Sequence, residues 1–566
     1  MKTIDAGVID YIRTAAASPA YREYLQNLLV ELVAINTAPD ADLAATAARE
    51  RQLFERIERE VATITGGTAR CERAPIAPAV AGDPDYSTPG YAAAGTGAAP
   101  GPEVVYGDRA NLLLEVPGAE PGPGLILHAH ADVVRPWFGP RVENGRVIGR
   151  GACDNKAQIA VLLAGMRLIR EVEEKFGLRP RLGRAYHFTL DEEIGGNGSL
   201  AAAKDARYAR WPVLMMESTD LKPYCAHRGA VYYRCRLSVG RNTNMTAVEL
   251  FPFVVLALEA EGRKIARETN MPGFTADHVQ TNHGILGHFG EHPGSVCDHV
   301  AIELVAHTNA NPERMAMKLT QLLDEVMLEY FNRYGDKSRE TDASGRPKVT
   351  KHFDVKLLPS NDAQRFRIDV YGCGGHMAAV RSCDNAITKA ALLMGGLLKI
   401  AGKYPGIHAY GLLADPPEPS DFQSIVLEGG QGFTPSHRMK DIQSRMTEAA
   451  VDAVKKYCKL RRRKFDASMV EMSFDRLHND AYADSPEIAP MQALRAACSA
   501  CGIDLSPPVA WNTSCDARLY HRHGHPVAIF GAGKLEAAHS DSEYVDLDDV
   551  QKALAVSTIA TLMLCA

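Results

Sequence analysis

The stretch LDEEIGG, Leu190 to Gly196, places three carboxyl groups side by side. Adjacent negative charges repel, so Asp191, Glu192 and Glu193 need a compensating charge or a special use. Residues of matching chemistry recur along the chain. His130 and Asp132 lie in HAHADVV, Asp154 in GRGACDNK, Glu217 at the end of VLMMES, and His539 in EAAHSDSEY. Two imidazoles and three carboxylates suit zinc or a similar borderline divalent ion. Five ligands exceed what one catalytic ion takes. If one carboxylate bridges, each of two ions receives three protein ligands and keeps an open position. Such a pair can hold a shared water, lower its pKa and polarise a carbonyl. A lone His or Glu in such a place is more often a solvated loop residue or a cap. It is the order and type of the whole set that point to a metal centre. His128, one alternation before His130, reads as structural.

The elements around these residues explain why they could meet. ANLLLEVPG, GLILHAHADV, RAYHFTLD, WPVLMMES and PVAIFGAG read as buried strands. Between and after them, NKAQIAVLLAGMRLIREVEEKF and VDLDDVQKALAVSTIATLML read as helices, and AYREYLQNLLVELVAINT and LAATAARERQLFERIEREV as two more near the start. Apolar strands alternating with helices imply an α/β fold, a mixed but mainly parallel sheet sandwiched by helices. Each candidate ligand then falls just past a strand end, where open α/β sheets build their sites. The Gly/Ala/Pro-rich stretch from about 81 to 107 reads as a loop or insertion.

The middle of the chain, about 230 to 465, has a different texture and a weak internal echo. GRNTNMTAVE (240–249) and GCGGHMAAVR (372–381) share glycine, Met, Ala and Val in register. Each follows an alternating strand and precedes a helix, which points to a duplicated α+β module. The expected boundaries are a first domain part at 1–229, an inserted domain at 230–465 and a second part at 466–566. The inserted domain would have halves of about 230–335 and 365–465, joined by the charged segment near Tyr334 to Gln364.

The chain has 566 residues, 46% hydrophobic and 23% charged, enough for two or more domains with a large core. A net charge of -6 and a pI near 6.4 argue against a general nucleic-acid binder. Its 12 cysteines show no disulfide framework, and Cys498 and Cys501 lie one turn apart in a helical pattern. MKTIDAGVIDYI lacks a signal-peptide pattern, and the longest apolar run, LAVSTIATLMLCA, is too short to span a bilayer. A cytoplasmic protein without nucleic-acid or membrane partners is expected.

The series HxD, GRGxxDNK, EE, the ExTD box at Glu217 and the late GxG…AHS resembles the dinuclear zinc peptidase and amidohydrolase family. Glutamate carboxypeptidase, succinyl-diaminopimelate desuccinylase, aminoacylase, carnosinase and bacterial dipeptidase V belong to it, the last being closest in layout. The resemblance implies two zinc ions, with cobalt or manganese as alternatives. His130 and Glu217 would bind one ion, Glu193 and His539 the other, and Asp154 would bridge. Asp132 would hold the His130 imidazole, and the bond before Asn155 would be cis. Glu192 would be the general base and Asp191 only its neighbour, with Gly195 and Gly196 permitting a tight turn.

The family's inserted domain is a lid that supplies an oxyanion-stabilising histidine, and GGHMAAV makes His376 the candidate. The first copy carries Asn244 at the matching position. Two lid halves in one chain imply an active site complete within a single chain, with homo-oligomers still open. Arg438, Arg445, Arg518 and Asn244 are the substrate-binding candidates, Arg518 alternatively pairing with Asp516. In dimeric relatives the lid histidine and arginine of one site come from different lids, whereas these candidates share one copy. The implied activity is hydrolysis of an amide bond in a dipeptide or small peptide. An N-acyl- or N-carbamoyl-amino-acid amidohydrolase and a catalytically silent binding protein are the alternatives.

Overall fold

The computed structural model describes residues 4–89, 100–240, 246–286, 295–306, 309–341, 345–360, 364–401, 407–413, 423–474, 478–503, 505 and 510–566. They form two compact units, one of residues up to 228 together with 476–566, the other of 229–475.

The first unit opens with three helices, α1 (Ala6–Ala16), α2 (Pro19–Val33) and α3 (Leu43–Thr65). The start of α2 follows from local chemistry. Pro19 pre-sets the first turn, and the Ser18 side chain accepts the Tyr21 N–H. Its apolar stripe, Leu25, Leu28, Leu29, Leu32 and Val33, is buried. Strands β1 (Arg70–Pro75), β2 (Ala110–Val116) and β3 (Leu125–His130) lead to α4 (Lys156–Phe176). Then come β4 (Arg184–Thr189), α5 (Asn197–Ala203) and β5 (Val213–Met216). All six residues of β3 are buried, and all six of β4. Burial on both faces is why β3 opens with the unbroken apolar run Leu125–Leu127 instead of alternating. Each fully buried Leu, Ile or Val in these strands contributes about 1.5–3 kcal/mol.

The second unit begins with β6 (Gly229–Ser238), α6 (Phe251–Arg267) and β7 (Thr281–Leu286). It continues through β8 (His299–Ala306), α7 (Pro312–Tyr334), β9 (Phe353–Leu358), β10 (Gln364–Tyr371), α8 (Ala386–Ala401) and β11 (Ile407–Leu413). It ends with β12 (Ser424–Phe433), α9 (Met439–Leu460) and β13 (Val470–Ser473). Two antiparallel sheets result, ordered β7-β12-β6-β13 and β9-β10-β8-β11. Each reads β-α-β-β-α-β along the chain, and each has its second, third, first and fourth strands in that spatial order. One module is continuous, β8 to β11. It is inserted between the second and third strands of the other.

Neither sheet is built from one of the expected halves, 230–335 or 365–465; each takes strands from both. The echo joins the turn after β6, first strand of the outer module, to the turn after β10, third strand of the inner one. A β-α-β-β-α-β unit repeats its own strand–helix turn at those two positions, so the sequence match marks half-modules. The segment 334–364 is also more than a link, since β9 within it pairs with β10 along Phe353–Leu358.

The chain returns to the first unit with α10 (Ala489–Ala500), α11 (Ala517–Arg522), β14 (Val527–Phe530) and α12 (Leu547–Cys565). The sheet of this unit is ordered β1-β2-β4-β3-β5-β14. Its four inner and far-edge strands, β4, β3, β5 and β14, run parallel. Strands β1 and β2 add an antiparallel edge. The register aligns His130 with Thr189 and Met216 with Phe530, so the carboxyl ends of these neighbours are level. Helices α4 and α12 pack together on the sheet and bury nearly all of their apolar residues.

A buried charge cluster fixes the turn that follows β4. Arg109, just before β2, pairs with Glu50 of α3 and with Asp191 at 2.6 Å each, and all three side chains are at most 4% exposed. The Tyr106 hydroxyl also donates to Asp191 at 2.9 Å. Asp191 has a positive φ of 65°, a costly conformation that these partners hold in place. Removing the cation would strand two buried carboxylates. The Arg109→Met variant is expected to lose about 3–5 kcal/mol of stability in urea denaturation; a loss under 1 kcal/mol would show that the cluster does not carry this load.

Candidate functional site

Five segments converge at the carboxyl edge of the parallel strands. His130 is the last residue of β3, and Glu217 follows β5 directly. Glu192 and Glu193 lie in a single 3-10 turn after β4. Asp154 lies just before α4, and His539 follows β14 in the loop to α12.

Asp154 is the centre of the cluster. Its Oδ1 lies 2.9 Å from His130 Nε2, and its Oδ2 lies 3.4 Å from His539 Nε2. His539 Nε2 is also 2.9 Å from Glu193 Oε2. His130 Nε2 lies 3.9 Å from Glu192 Oε2. Ligand atoms of His130, Asp154 and Glu193 all fall within 4.8 Å of one another. Glu217 is 3% exposed and shares their electrostatic field. Asp132, Glu192 and the five candidate ligands are thus brought together in the first unit.

The second layer differs in detail from the expectation. His130 Nδ1 lies 3.0 Å from the Asp132 backbone carbonyl and 3.5 Å from its carboxylate. That carboxylate mainly serves the neighbouring turn. Its two oxygens accept the N–H groups of Glu192 and Glu193, each at 3.1 Å. Asp132 therefore orients the histidine and the acid pair together. The Asp154–Asn155 bond is cis. Asn155 donates to the Met216 carbonyl at 2.9 Å, and Ser218 donates to the Cys153 carbonyl at 3.0 Å, tying the Asp154 segment to the Glu217 segment. Gly195 and Gly196 have φ of 109° and 75°, and a Cβ on Gly196 would meet Asp516 Oδ1 at 2.0 Å.

Burial and mutual repulsion push the Glu192, Glu193 and Glu217 carboxyls up. Burial opposes charge on the two imidazoles, yet the surrounding carboxylates hold both His130 and His539 well above the usual range. The field of this pocket thus captures positive charge. Glu193 Oε1 and Glu217 Oε1 are buried without a hydrogen-bond partner among the described residues. Buried carboxylate oxygens without donors are costly, and a cation would satisfy them. The donor set fits a divalent metal. His128 is different. It is buried, bonds to Thr189 and Ser199 at 2.9 Å each, and burial holds it well below the usual range, so it is a neutral core residue.

The second unit carries the other candidates. His376 ends a short strand, Gly375–His376, that follows β10 in the inner module. Arg438 is exposed at the start of α9, in the outer module, so these two residues belong to different modules although they share a sequence half. Arg445 is spent within the outer module. It donates to Glu261 at 2.7 Å and to Glu268 at 2.9 Å, tying α9 to the end of α6. Arg518 is 4% exposed and donates to the Gly195 carbonyl at 3.0 Å and to Asn479 at 3.1 Å. It supports the turn after Glu193, and among the described residues it makes no ion pair with Asp516. Asn244 lies outside the described residues.

Arg109 and Glu543 carry no mark in the sequence, and of Asn155 only the cis bond before it was expected; all three hold these segments from behind. A buried acid in the polar string HSDSEY carries no mark that separates it from a surface acid. For Asn155 the signal was present, since it stands inside the GRGACDNK motif.

The family model for peptidase family M20/M25/M40 matches residues 126–561. Over shorter stretches the chain is 40% identical across 70 residues to a succinyl-diaminopimelate desuccinylase of Granulibacter bethesdensis, covering 11% of this chain and 18% of that protein. It is 30% identical across 114 residues to a peptidase M20 domain-containing protein of Schizosaccharomyces pombe, covering 20% of this chain and 27% of that protein. These matches span between about a fifth and about a quarter of the curated relatives. Among solved structures, human carnosine dipeptidase 1 superposes with a TM-score of 0.54 at 12% identity, over 99% of this chain and 98% of that one. The dipeptidase Dug1p of Saccharomyces cerevisiae gives 0.55 at 10% identity, over 99% and 98%. At such identities the two structures share its fold. The five-segment cluster lies within the span of the family match, and this chain belongs to peptidase family M20/M25/M40.

Proposed function

We propose that the protein is a dinuclear metal hydrolase that cleaves an amide bond in a dipeptide or small peptide. The observation that carries this is the placement of Asp154, one oxygen toward His130 and the other toward His539. That is the arrangement in which one carboxylate serves two ions. His130 and Glu217 would hold one ion and Glu193 and His539 the other, zinc first, with cobalt or manganese as substitutes. Bound ions would supply Lewis acidity and lower the pKa of water at the open positions.

The chain's own residues do the rest. Glu192 sits beside the cluster with its N–H fixed by Asp132. It takes the proton of the attacking water on its carboxylate and passes it to the leaving amine nitrogen. The neighbouring Glu193 faces His539 and is committed to the metal, so two adjacent acids have separate tasks. Asp132 keeps His130 and this acid pair in register. His376 would donate to the developing oxyanion, and Asn244 and Arg438 would contact the substrate. We assign all of these to one chain, with the second unit as a lid, in a cytoplasmic setting.

Two observations favour different amides. The solved relatives named above are dipeptidases, which favours a dipeptide. The desuccinylase segment favours an N-acyl amino acid. A side-by-side assay of dipeptides, N-acyl and N-carbamoyl amino acids on zinc-loaded protein decides between them. A silent binding protein is disfavoured because all five metal-binding candidates and Glu192 are present.

Glu192→Gln is expected to keep the metal but lose about 10²–10⁴-fold in kcat. Turnover at the parent rate would overturn the assignment of the base. The self-repelling cluster also gives a binding prediction. Adding zinc to the metal-free protein should raise Tm, through a stabilisation of about 2.7 kcal/mol at a hundredfold excess over Kd. Glu193→Ala should lose most of that gain in thermal denaturation, and an equal shift would exclude Glu193 as a ligand.

A further inference from the structure

Glu543 has no part in the scheme above, yet it is the most heavily used acceptor beneath the cluster. It is fully buried, four residues after His539. Its Oε1 accepts three backbone N–H groups, those of Gly151, Cys153 and Asp154, each at 3.0 Å. Its Oε2 accepts Arg150 Nη1 at 2.7 Å, and Arg150 is 1% exposed. Its own carbonyl accepts the Gly149 N–H at 2.9 Å. The clamp therefore grips the run from Gly149 to Asp154 along its length.

The same clamp reaches the other segment. Arg150 Nη2 donates to the His539 carbonyl at 3.4 Å, and the Glu543 N–H donates to the Ser540 carbonyl at 3.3 Å. His539 has a positive φ of 61°, a conformation uncommon outside glycine. Asp154 and His539 come from segments nearly four hundred residues apart. Their direct contact is 3.4 Å, and the Glu543–Arg150 clamp lies behind both.

We propose that Glu543 is a positioning residue that fixes Asp154 and His539 relative to each other, so that metal affinity depends on it although it touches no metal. This rests on the reading of the cluster as a metal centre. A carboxylate accepting three converging N–H groups is a rigid hub. An alanine leaves those three donors and Arg150 Nη1 without their acceptor, and the buried Arg150 charge without its carboxylate partner. The amide of glutamine keeps one oxygen for the N–H groups and gives up the charge for Arg150.

The test uses the full chain in three forms: wild type, Glu543→Ala and Glu543→Gln. Zinc affinity is measured by competition with a chelator, and backbone hydrogen exchange across 149–155 is followed in the metal-free proteins. Expected are a loss of about 10–100-fold in zinc affinity for the alanine variant, faster exchange across 149–155, and partial recovery of both in the glutamine variant. Circular dichroism reports whether each variant is folded. If the alanine variant does not fold, the glutamine variant decides, with an expected loss of affinity smaller than a hundredfold but measurable. Equal zinc affinity and equal exchange in wild type and variant overturn this inference alone. A wild-type protein that binds no zinc overturns both it and the metal reading.

Discussion

Concentrated negative charge in a buried place is the constraint on which the first unit is built. Asp132, Asp154, Glu192, Glu193 and Glu217 all lie at one edge of one sheet, and most of their surface is out of water. Carboxylates so placed cannot all stay ionised without cations nearby. Two imidazoles supply part of the compensation, since the acids around them favour their charged form against the cost of burial. Metal ions would replace those protons, so binding would release them. Function and instability share one origin here, because the charge density that would attract ions is what the fold must restrain when they are missing.

That restraint is a polar layer behind the ligands. Asp132 holds the N–H groups of the acid pair, Arg109 anchors Asp191 in front of them, and Glu543 collects the Asp154 segment. Asn155 and Ser218 tie that segment to the end of β5. Apart from the Arg109–Asp191 ion pair, each tie joins segments distant in sequence through a hydrogen bond to backbone. Backbone groups cannot change rotamer, so such bonds set positions more firmly than contacts between side chains do.

Much of this was legible in the sequence. The apolar runs around His130, Thr189 and Met216 gave the parallel strands, and the residue types just past them gave the cluster. Each signal is weak alone, and it was their order and type along one α/β pattern that made the set legible. The supporting layer was less legible because its members gain meaning only from partners far away. Asp191 read as a bystander, and the structure makes it the anchor of its turn. Arg445 read as a substrate-binding candidate, and its partners Glu261 and Glu268 lie far from it in sequence. The module boundaries were misread because a β-α-β-β-α-β unit repeats its own turn, which sequence similarity cannot separate from true duplication of the whole.

The nesting of one module inside the other has a kinetic corollary. In the outer module, β12 must find β6 across the entire inner module, whereas the inner module pairs only strands from a continuous stretch of chain. Closing a long loop costs entropy that grows only slowly with length, about 0.6 kcal/mol per doubling. Contacts between distant residues nevertheless form late. During synthesis the inner module has emerged whole while the outer one still shows an open edge at β6. A compact insert also brings the two ends of the interrupted sheet close together, so its early folding shortens the search that completes the outer one.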